Sequence, residues 1–404
     1  EIRPAEPFAE VKARIAAAVE AHRDEILSLS HRIWEHPEPA FEEHQAARWV
    51  AEAVAAHGYR VEAPAGRLAT AVRGVLVGRG TGTGRGSGAG RRVGVLAEYD
   101  ALPGLGHGCG HNTMAASGVG AAIALAAVAD AFAGEVVFLG TPAEERGSGK
   151  ELMIQDGLFD GLDAALLFHP SDRTQVACVL LASEDVDVTF HGLQAHAAAE
   201  PWMGRNALDA LVLLLNGIGL WRQQLQPDAR VHGIVLEGGT AANIIPARAA
   251  ARFMIRSLHQ DAFAEMRRRF EEMVRGAALM TGTEGEAVFS GGTMTMKDNA
   301  VLADRFRANL AAYGIADNPV DMGHLGSSDM GNVSWRLPTI HPSIAICDEG
   351  VPGHSIAFRD AAASPRADEV TLIAATVVAQ TAYEVLADPQ LAEAAWREFR
   401  GAGQ

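Results

Sequence analysis

Residues 93–114, VGVLAEYDALPGLGHGCGHNTM, constrain the fold more than any other stretch. The apolar run 93–97 reads as a short buried strand. Glu98, Asp100, His107, Cys109 and His111 follow, joined by Gly and Pro that suit only a loop. From Asn112 onward the residues are small and apolar, predicting a packed helix with Asn112 as its cap. A strand, a loop dense in metal-capable side chains and then a helix is how open α/β proteins build active sites. Cys109 lies two residues from both His107 and His111, so an extended loop points all three the same way. The plainer reading is a buried thiol flanked by two solvated histidines.

The chain has 404 residues, more than one ordinary core accommodates, so two domains are expected. Its formal charge of −16 repels nucleic acid and predicts a soluble protein. No charge-free apolar run is long enough for a bilayer, and the longest, around 119–129, reads as a core helix. No basic-then-apolar leader opens the sequence. Cys109, Cys178 and Cys347 are too few and too scattered for a disulfide framework. A reducing, cytoplasmic location is therefore expected, with Cys109 free to act as a thiolate.

Helical spacing covers 8–34 and ends at Pro37 and Pro39. A second helix is expected over 41–56, then strands at 59–62 and 71–77. The Gly-rich segment 78–90 reads as a hairpin or loop. It has neither the glycine register nor the following helix of a dinucleotide site. Gly147-Ser-Gly-Lys150 resembles the end of a phosphate loop but has Glu151 where Ser or Thr belongs. Strands at 135–139 and 164–168 flank a short helix at 150–155. Strands alternating with helices predict an α/β fold with a mostly parallel, doubly wound sheet. Three successive strands then end at Asp100, at Glu144-Glu145 and at His169, as spatial neighbours. From about residue 181 the pattern alternates polar and apolar residues. The order strand, helix, strand, strand, helix, strand over 182–290 predicts a ferredoxin-like βαββαβ insertion. The flanking spans 1–181 and 291–404 make up the catalytic domain. It resumes with a helix at 300–313, the loop 323–332 and a strand at 343–346, and a helix at 367–386 finishes it.

Thiolate, imidazole and carboxylate together suit zinc or a similar divalent ion. Cys109, His111, Glu145 and His169 gather at one end of the expected sheet. Ligands from separate strand ends mark a catalytic site more than a structural one. His354, His107 and Asp100 remain as surplus candidates, which points to two ions clamping one substrate and one water. Of the adjacent Glu144 and Glu145, one can ligate while the other takes a proton from the water.

Seven stretches carry a family resemblance, in order and across nearly the whole chain: AEYDALPGLGHGCGHN (97–112), GTPAEE (140–145), FHP (168–170), GLQAHAAAEPWMGRNALDA (192–210), GGTAANIIP (238–246), SSDMGNVS (327–334) and PGHS (352–355). With these the chain resembles the M20 metallopeptidase family, and within it the amidohydrolase branch that includes p-aminobenzoyl-glutamate hydrolase and related dipeptidases. The resemblance implies two divalent ions, zinc or manganese, on Cys109, His111, Glu145, His169 and His354. It makes Glu144 the general base that later protonates the leaving amine, with Asp100 orienting the metal site. His196 matches a family histidine that crosses a homodimer interface, formed by the inserted domain, to stabilise the oxyanion in the partner's site. Asn243 and Arg256 match positions expected to hold the substrate's carbonyl or carboxylate, although Arg256 also suits a structural ion pair. His107 and Glu98 stay unassigned, and either can enter the metal sphere.

The implied activity is hydrolysis of the amide of an N-acyl or N-aroyl amino acid or a dipeptide by a metal-activated water. The alternative is a metal-binding regulator of the same fold without catalysis. Intact Glu144 beside a full ligand set argues against that alternative, because an inactive relative should lose the base first.

Overall fold

Strands buried on both faces need apolar residues at every position, and the central strand Arg91–Glu98 meets this demand with Val93, Val95, Leu96 and Ala97, all buried. The computed structural model describes residues 8–80, 90–323 and 325–401. The segment 81–89, most of the Gly-rich stretch, lies outside the described residues. Arg91–Glu98 stands inside a six-stranded sheet with the order Arg60–Glu62, Val72–Val77, Gly134–Thr141, Arg91–Glu98, Ala164–Leu166, Thr339–Ile340. The first two pairings are antiparallel and the remaining three parallel. A separate parallel pair, His169–Ser171 with Ser343–Ala345, continues beyond the end of Ala164–Leu166.

The helix His111–Ala127 is buried along almost its whole length. Its Gly118 lies so close to the central strand that a Cβ there would sit 2.5 Å from the Leu96 carbonyl oxygen. That approach fixes where the helix begins, and therefore where His111 stands. The helix starts one residue before the expected cap. Gly110 is the capping residue, and Asn112 instead donates its amide to Ser30 Oγ and the Ala362 carbonyl at 3.0 and 2.9 Å. Pro365–Ala387 is apolar and long enough to cross a membrane, yet 89% of its apolar window is buried within the protein. It packs on His111–Ala127 as a core helix.

Some boundaries differ from the sequence expectation. The single helix expected over 8–34 is two, Ala9–Ala21 and Arg23–Glu35, broken where His22 leaves helical geometry and hydrogen-bonds Glu25. A further amphipathic helix, Pro389–Gly401, follows the one expected to be last. Its Glu398 carboxylate accepts from the N–H groups of Ala300 and Val301 at the start of the helix Ala300–Ala311.

Two compact units emerge. One comprises the described residues of Glu1–Val179, Met296–His324 and Asn332–Gln404, and the other Leu180–Thr295 with Leu325–Gly331. The second unit is a four-stranded antiparallel sheet, ordered Glu284–Thr293, Ala182–His191, Arg248–Ser257, Arg230–Glu237. Helices Ala207–Trp221 and Gln260–Thr281 cover it, burying Val186, Phe190, Phe253, Leu211 and Phe270 together. The chain order is strand, helix, strand, strand, helix, strand. Leu325–Gly331 joins this unit because Leu181 N–H donates to the Gly326 carbonyl at 2.9 Å.

A half-buried acid in the first unit makes stability depend on pH. Burial pushes the Asp298 carboxyl up to about 7, against the pull of the Cys178 N–H that donates to its Oδ2. Its Oδ1 has no hydrogen-bond partner. The unfolded group ionises near pH 4, so between about pH 4 and 7 the folded chain holds a proton that the unfolded chain has lost. Stability from this group therefore falls as pH rises through that window. Asp298→Asn is expected to raise stability at pH 8 by about 1–3 kcal/mol and to change little near pH 4. Urea melts at the two pH values check this, and an equal effect at both would contradict it.

Candidate metal centre

His111 is the hub. Its Nδ1 faces Asp100, at 2.8 Å from the carbonyl oxygen and 3.1 Å from Oδ1, so its Nε2 faces the opposite way. There it meets Glu98 Oε2 at 3.3 Å and, at 3.9 Å each, Glu144 Oε2 and Glu145 Oε1. Asp100 also accepts from the backbone N–H of Glu145 at 2.9 Å through Oδ2. One buried carboxylate thereby holds the end of the central strand, the start of a helix and the acidic loop in register.

Cys109 reaches His169 through close backbone packing. Gly110 has φ +78°, and a Cβ there would lie 2.7 Å from Pro170 Cγ, so glycine lets this loop press against the strand that carries His169. Cys109 Sγ lies 3.5 Å from His169 Nε2. His354 sits at φ +57° and donates its backbone N–H to Gly108 at 2.9 Å, which places its Nε2 3.5 Å from Glu145 Oε2. Ala143, immediately before the two acids, is also left-handed at φ +58°, and its N–H donates to the buried Glu43 at 2.8 Å.

Electrostatics follow from this burial. The His169 imidazole is pushed down to about 3 by burial and by His341 and His111, so it is uncharged with a lone pair available. Burial and the Glu145 charge push the Cys109 thiol up. Burial lowers the His111 pKa, but Cys109 and Asp100 outweigh it and raise it well above the ordinary value. Burial also raises the Glu145 carboxyl, against the pull of His111 and His354.

At this centre ligand-capable atoms fall into three groups, each within 4.8 Å: Cys109 with His111 and His169; Cys109 with Glu145 and His354; and Glu98 with His111 and Glu144. The first two share the Cys109 sulfur. Three atoms in these groups, His111 Nε2, Glu145 Oε1 and Glu98 Oε2, are buried without a hydrogen-bond partner. Leaving such atoms unsatisfied is costly, and a divalent cation is what several inward-facing lone pairs suit. Sulfur with imidazole and carboxylate favours zinc, while the nitrogen and oxygen donors also suit manganese.

Cys109, His111, Glu145, His169, His354, Asp100 and Glu144 thus come together in the first unit. His107 does not join them. The chain turns through Gly108–Gly110 and His111 belongs to a helix, so the extended loop that would align the three side chains does not form. His107 is buried, and burial holds its imidazole near 3. Glu43, Lys150 and His341 are neighbours that sequence reasoning did not single out for the site. Lys150, seen only as part of a failed phosphate loop, is fully buried with Nζ 2.5 Å from Glu98 Oε1. His341 stacks edge-on against His169 with ring centroids 5.4 Å apart.

The other three candidates lie in the second unit. His196 is exposed, and its Nδ1 accepts from the N–H groups of Ala198 and Ala199 at 3.2 and 3.1 Å, which leaves the proton on Nε2. Asn243 is exposed, its carbonyl accepting from Ala197 N–H at 3.0 Å. Arg256 points its Nε and Nη2 at Met254 Sδ, at 3.0 and 2.8 Å, and not at a carboxylate partner among the described residues.

Comparison with known proteins shows the family to which the chain belongs. Residues 94–382 match the model of Peptidase family M20/M25/M40. The chain is similar to the Xaa-Arg dipeptidase of Mus musculus, 36% identical over 98% of this chain and 96% of the mouse protein. It is 32% identical to one of the subunits of p-aminobenzoyl-glutamate hydrolase from Escherichia coli (strain K12), over 74% of this chain and 64% of that protein. Its fold is similar to that of Bacillus subtilis YXEP, described as a dinuclear metal binding peptidase, with TM-score 0.68 and 19% identity over 91% of this chain and 99% of that one. An aminobenzoyl-glutamate utilization protein from Klebsiella pneumoniae superposes with TM-score 0.72 at 20% identity, covering 90% of this chain and 96% of the other.

Proposed function

This chain belongs to Peptidase family M20/M25/M40, and we propose that it hydrolyses the amide bond of dipeptides or N-acyl amino acids at a two-ion centre, with Glu144 as the general base. The observation that carries the proposal is the shared sulfur. Cys109 belongs to two ligand groups at once, with Glu144 beside them and the buried His111 Nε2 and Glu145 Oε1 left without hydrogen bonds. Cys109, His111 and His169 would hold one ion, and Cys109, Glu145 and His354 the other. Zinc or manganese bound there would supply polarisation of the scissile carbonyl and a more acidic water.

The protein's own groups do the rest. Asp100 keeps the His111 Nδ1 occupied, so that Nε2 stays turned into the centre. Glu144 takes a proton from the attacking water and hands it to the leaving amine as the tetrahedral intermediate collapses. His196, with its proton on Nε2, donates to the developing oxyanion. Arg256 and Asn243 hold the carboxylate and carbonyl of the substrate, and Arg256 is suited to this by its lack of a carboxylate partner among the described residues. Two relatives that span nearly the whole chain are named Xaa-Arg dipeptidases, so dipeptides ending in arginine are the first substrates to try. The test is hydrolysis of a panel of such dipeptides, β-alanyl dipeptides, acetyl-amino acids and p-aminobenzoyl-glutamate, with and without chelator. No chelator-sensitive cleavage of any member would overturn the proposal.

We also propose a homodimer through the second unit, in a reducing, cytoplasmic setting that keeps Cys109 a free thiol. Arg230–Glu237 is one of the two outer strands of its sheet, and Ile234, Val235 and Leu236 are 63%, 51% and 53% exposed. An apolar edge strand is a template for pairing with a second copy. Charging that edge with Ile234→Glu and Leu236→Glu is expected to convert the dimer to monomer in sedimentation and to lower hydrolysis at least about tenfold, because His196 then lacks a partner site. A fully active wild-type monomer would rule this out.

A further inference from the structure

We propose that Glu98 is a further metal ligand, binding through Oε2 the ion that His111 holds, with Lys150 fixing it in place through Oε1. This rests on the two-ion reading above and adds a residue to it.

The argument begins with an incomplete ion pair. Glu98 and Lys150 are both fully buried, and Lys150 Nζ lies 2.5 Å from Glu98 Oε1. An ion pair serving only stability would satisfy both carboxylate oxygens, since a buried charge is tolerated only when paired and fully hydrogen-bonded. Glu98 Oε2 has no hydrogen-bond partner. It faces His111 Nε2 at 3.3 Å, and that nitrogen is also buried and unpartnered. The two atoms stand at ion-pair distance without the alignment of a hydrogen bond. Asp100 already occupies the other nitrogen of His111. A carboxylate oxygen and an imidazole nitrogen, both buried and side by side with no hydrogen bond between them, are arranged as two donors to a third party. Glu98, His111 and Glu144 form one of the ligand-capable groups, and His111 links it to the group of Cys109 and His169.

Lys150 explains why only one oxygen is offered. Its ammonium engages Oε1, so Glu98 binds through a single atom and its charge is partly offset before any cation arrives. The ion on His111 then has one more protein ligand than the ion on Glu145 and His354. The latter keeps the more open position, as an ion handling water and substrate requires.

Zinc uptake by the full-length apoprotein, titrated against a chromophoric chelator, tests this. Wild type is expected to bind two ions. Glu98→Gln is expected to keep one with unchanged affinity and to loosen the other by about 10–100-fold or more. Cobalt(II) loading gives a second readout. The thiolate-to-cobalt band from Cys109 should persist, while the ligand-field bands of the weakened site shift. If the Glu98→Gln chain fails to fold, Glu98→Gln with Lys150→Met removes both charges and is titrated instead. Two zinc affinities within twofold of wild type, with an unchanged cobalt spectrum, would overturn the assignment while leaving the two-ion reading intact. A wild-type chain binding fewer than two ions would overturn both.

Discussion

Glu144→Gln is expected to lower kcat for amide hydrolysis by about 10²–10⁴-fold, with KM within a few-fold of wild type and zinc content unchanged. The expectation follows from position. Glu144 lies beside the metal-ligand groups, with Oε2 3.9 Å from His111 Nε2, but it belongs to neither of the two groups that share Cys109. Glutamine keeps the shape and cannot take a proton from water. Removing a proton acceptor while keeping the ligands weakens the chemical step more than binding, so the loss appears in kcat. Glu145→Gln should behave differently. Glu145 forms a group with Cys109 and His354, so its substitution is expected to lower zinc content along with rate. Steady-state kinetics paired with metal analysis on both variants separates the two acids. Equal zinc loss in both variants would place Glu144 among the ligands and leave the base unidentified.

Removing the metal is expected to lower the melting temperature by roughly 5–15 °C, with recovery on adding zinc. Without a cation, Glu98, Asp100, Glu145 and His111 crowd a buried space in which several atoms lack partners. Binding to the folded state alone contributes about 4 kcal/mol when free zinc exceeds its Kd a thousandfold. This stabilisation should shrink as pH falls. The Cys109 thiol is pushed up by burial and by Glu145, so it is protonated in the apoprotein and must lose that proton to ligate. His111 is raised by Cys109 and Asp100 despite its burial, so Cys109 and His111 titrate as a pair, and ligation removes at least one proton from that pair. His169, near 3, releases none at neutral pH. Zinc affinity should therefore fall at least about tenfold for each pH unit lowered. Calorimetry in buffers of different ionisation enthalpy measures the protons released, and release of none would contradict this electrostatic picture.

Much of the centre was legible in the sequence because parallel sheets bring strand ends together. Reading 93–97, 135–139 and 164–168 as buried strands sufficed to place Asp100, Glu144-Glu145 and His169 near one another, and the observed pairings of Gly134–Thr141, Arg91–Glu98 and Ala164–Leu166 do so. The inserted βαββαβ unit was equally readable, since its strands alternate polar and apolar residues. What escaped depends on packing between distant segments. Glu43 acts through the left-handed backbone of Ala143, a conformation that the Thr-Pro-Ala sequence does not signal. In the sequence Lys150 figures only as the end of a failed phosphate loop, and only the structure buries it against Glu98. His107 shows the reverse case. Its spacing from Cys109 matched that of His111, but the glycine turn and the helix start at His111 separate the two histidines.

Anomalous diffraction at the zinc edge, from crystals of zinc-loaded protein, tests the central claim most directly. Two peaks about 3.5–4 Å apart are expected, with Cys109 Sγ between them, His111 and His169 on one and Glu145 and His354 on the other. A single peak bound by Cys109, His111 and His169, with nothing at Glu145 and His354 at saturating zinc, would contradict it.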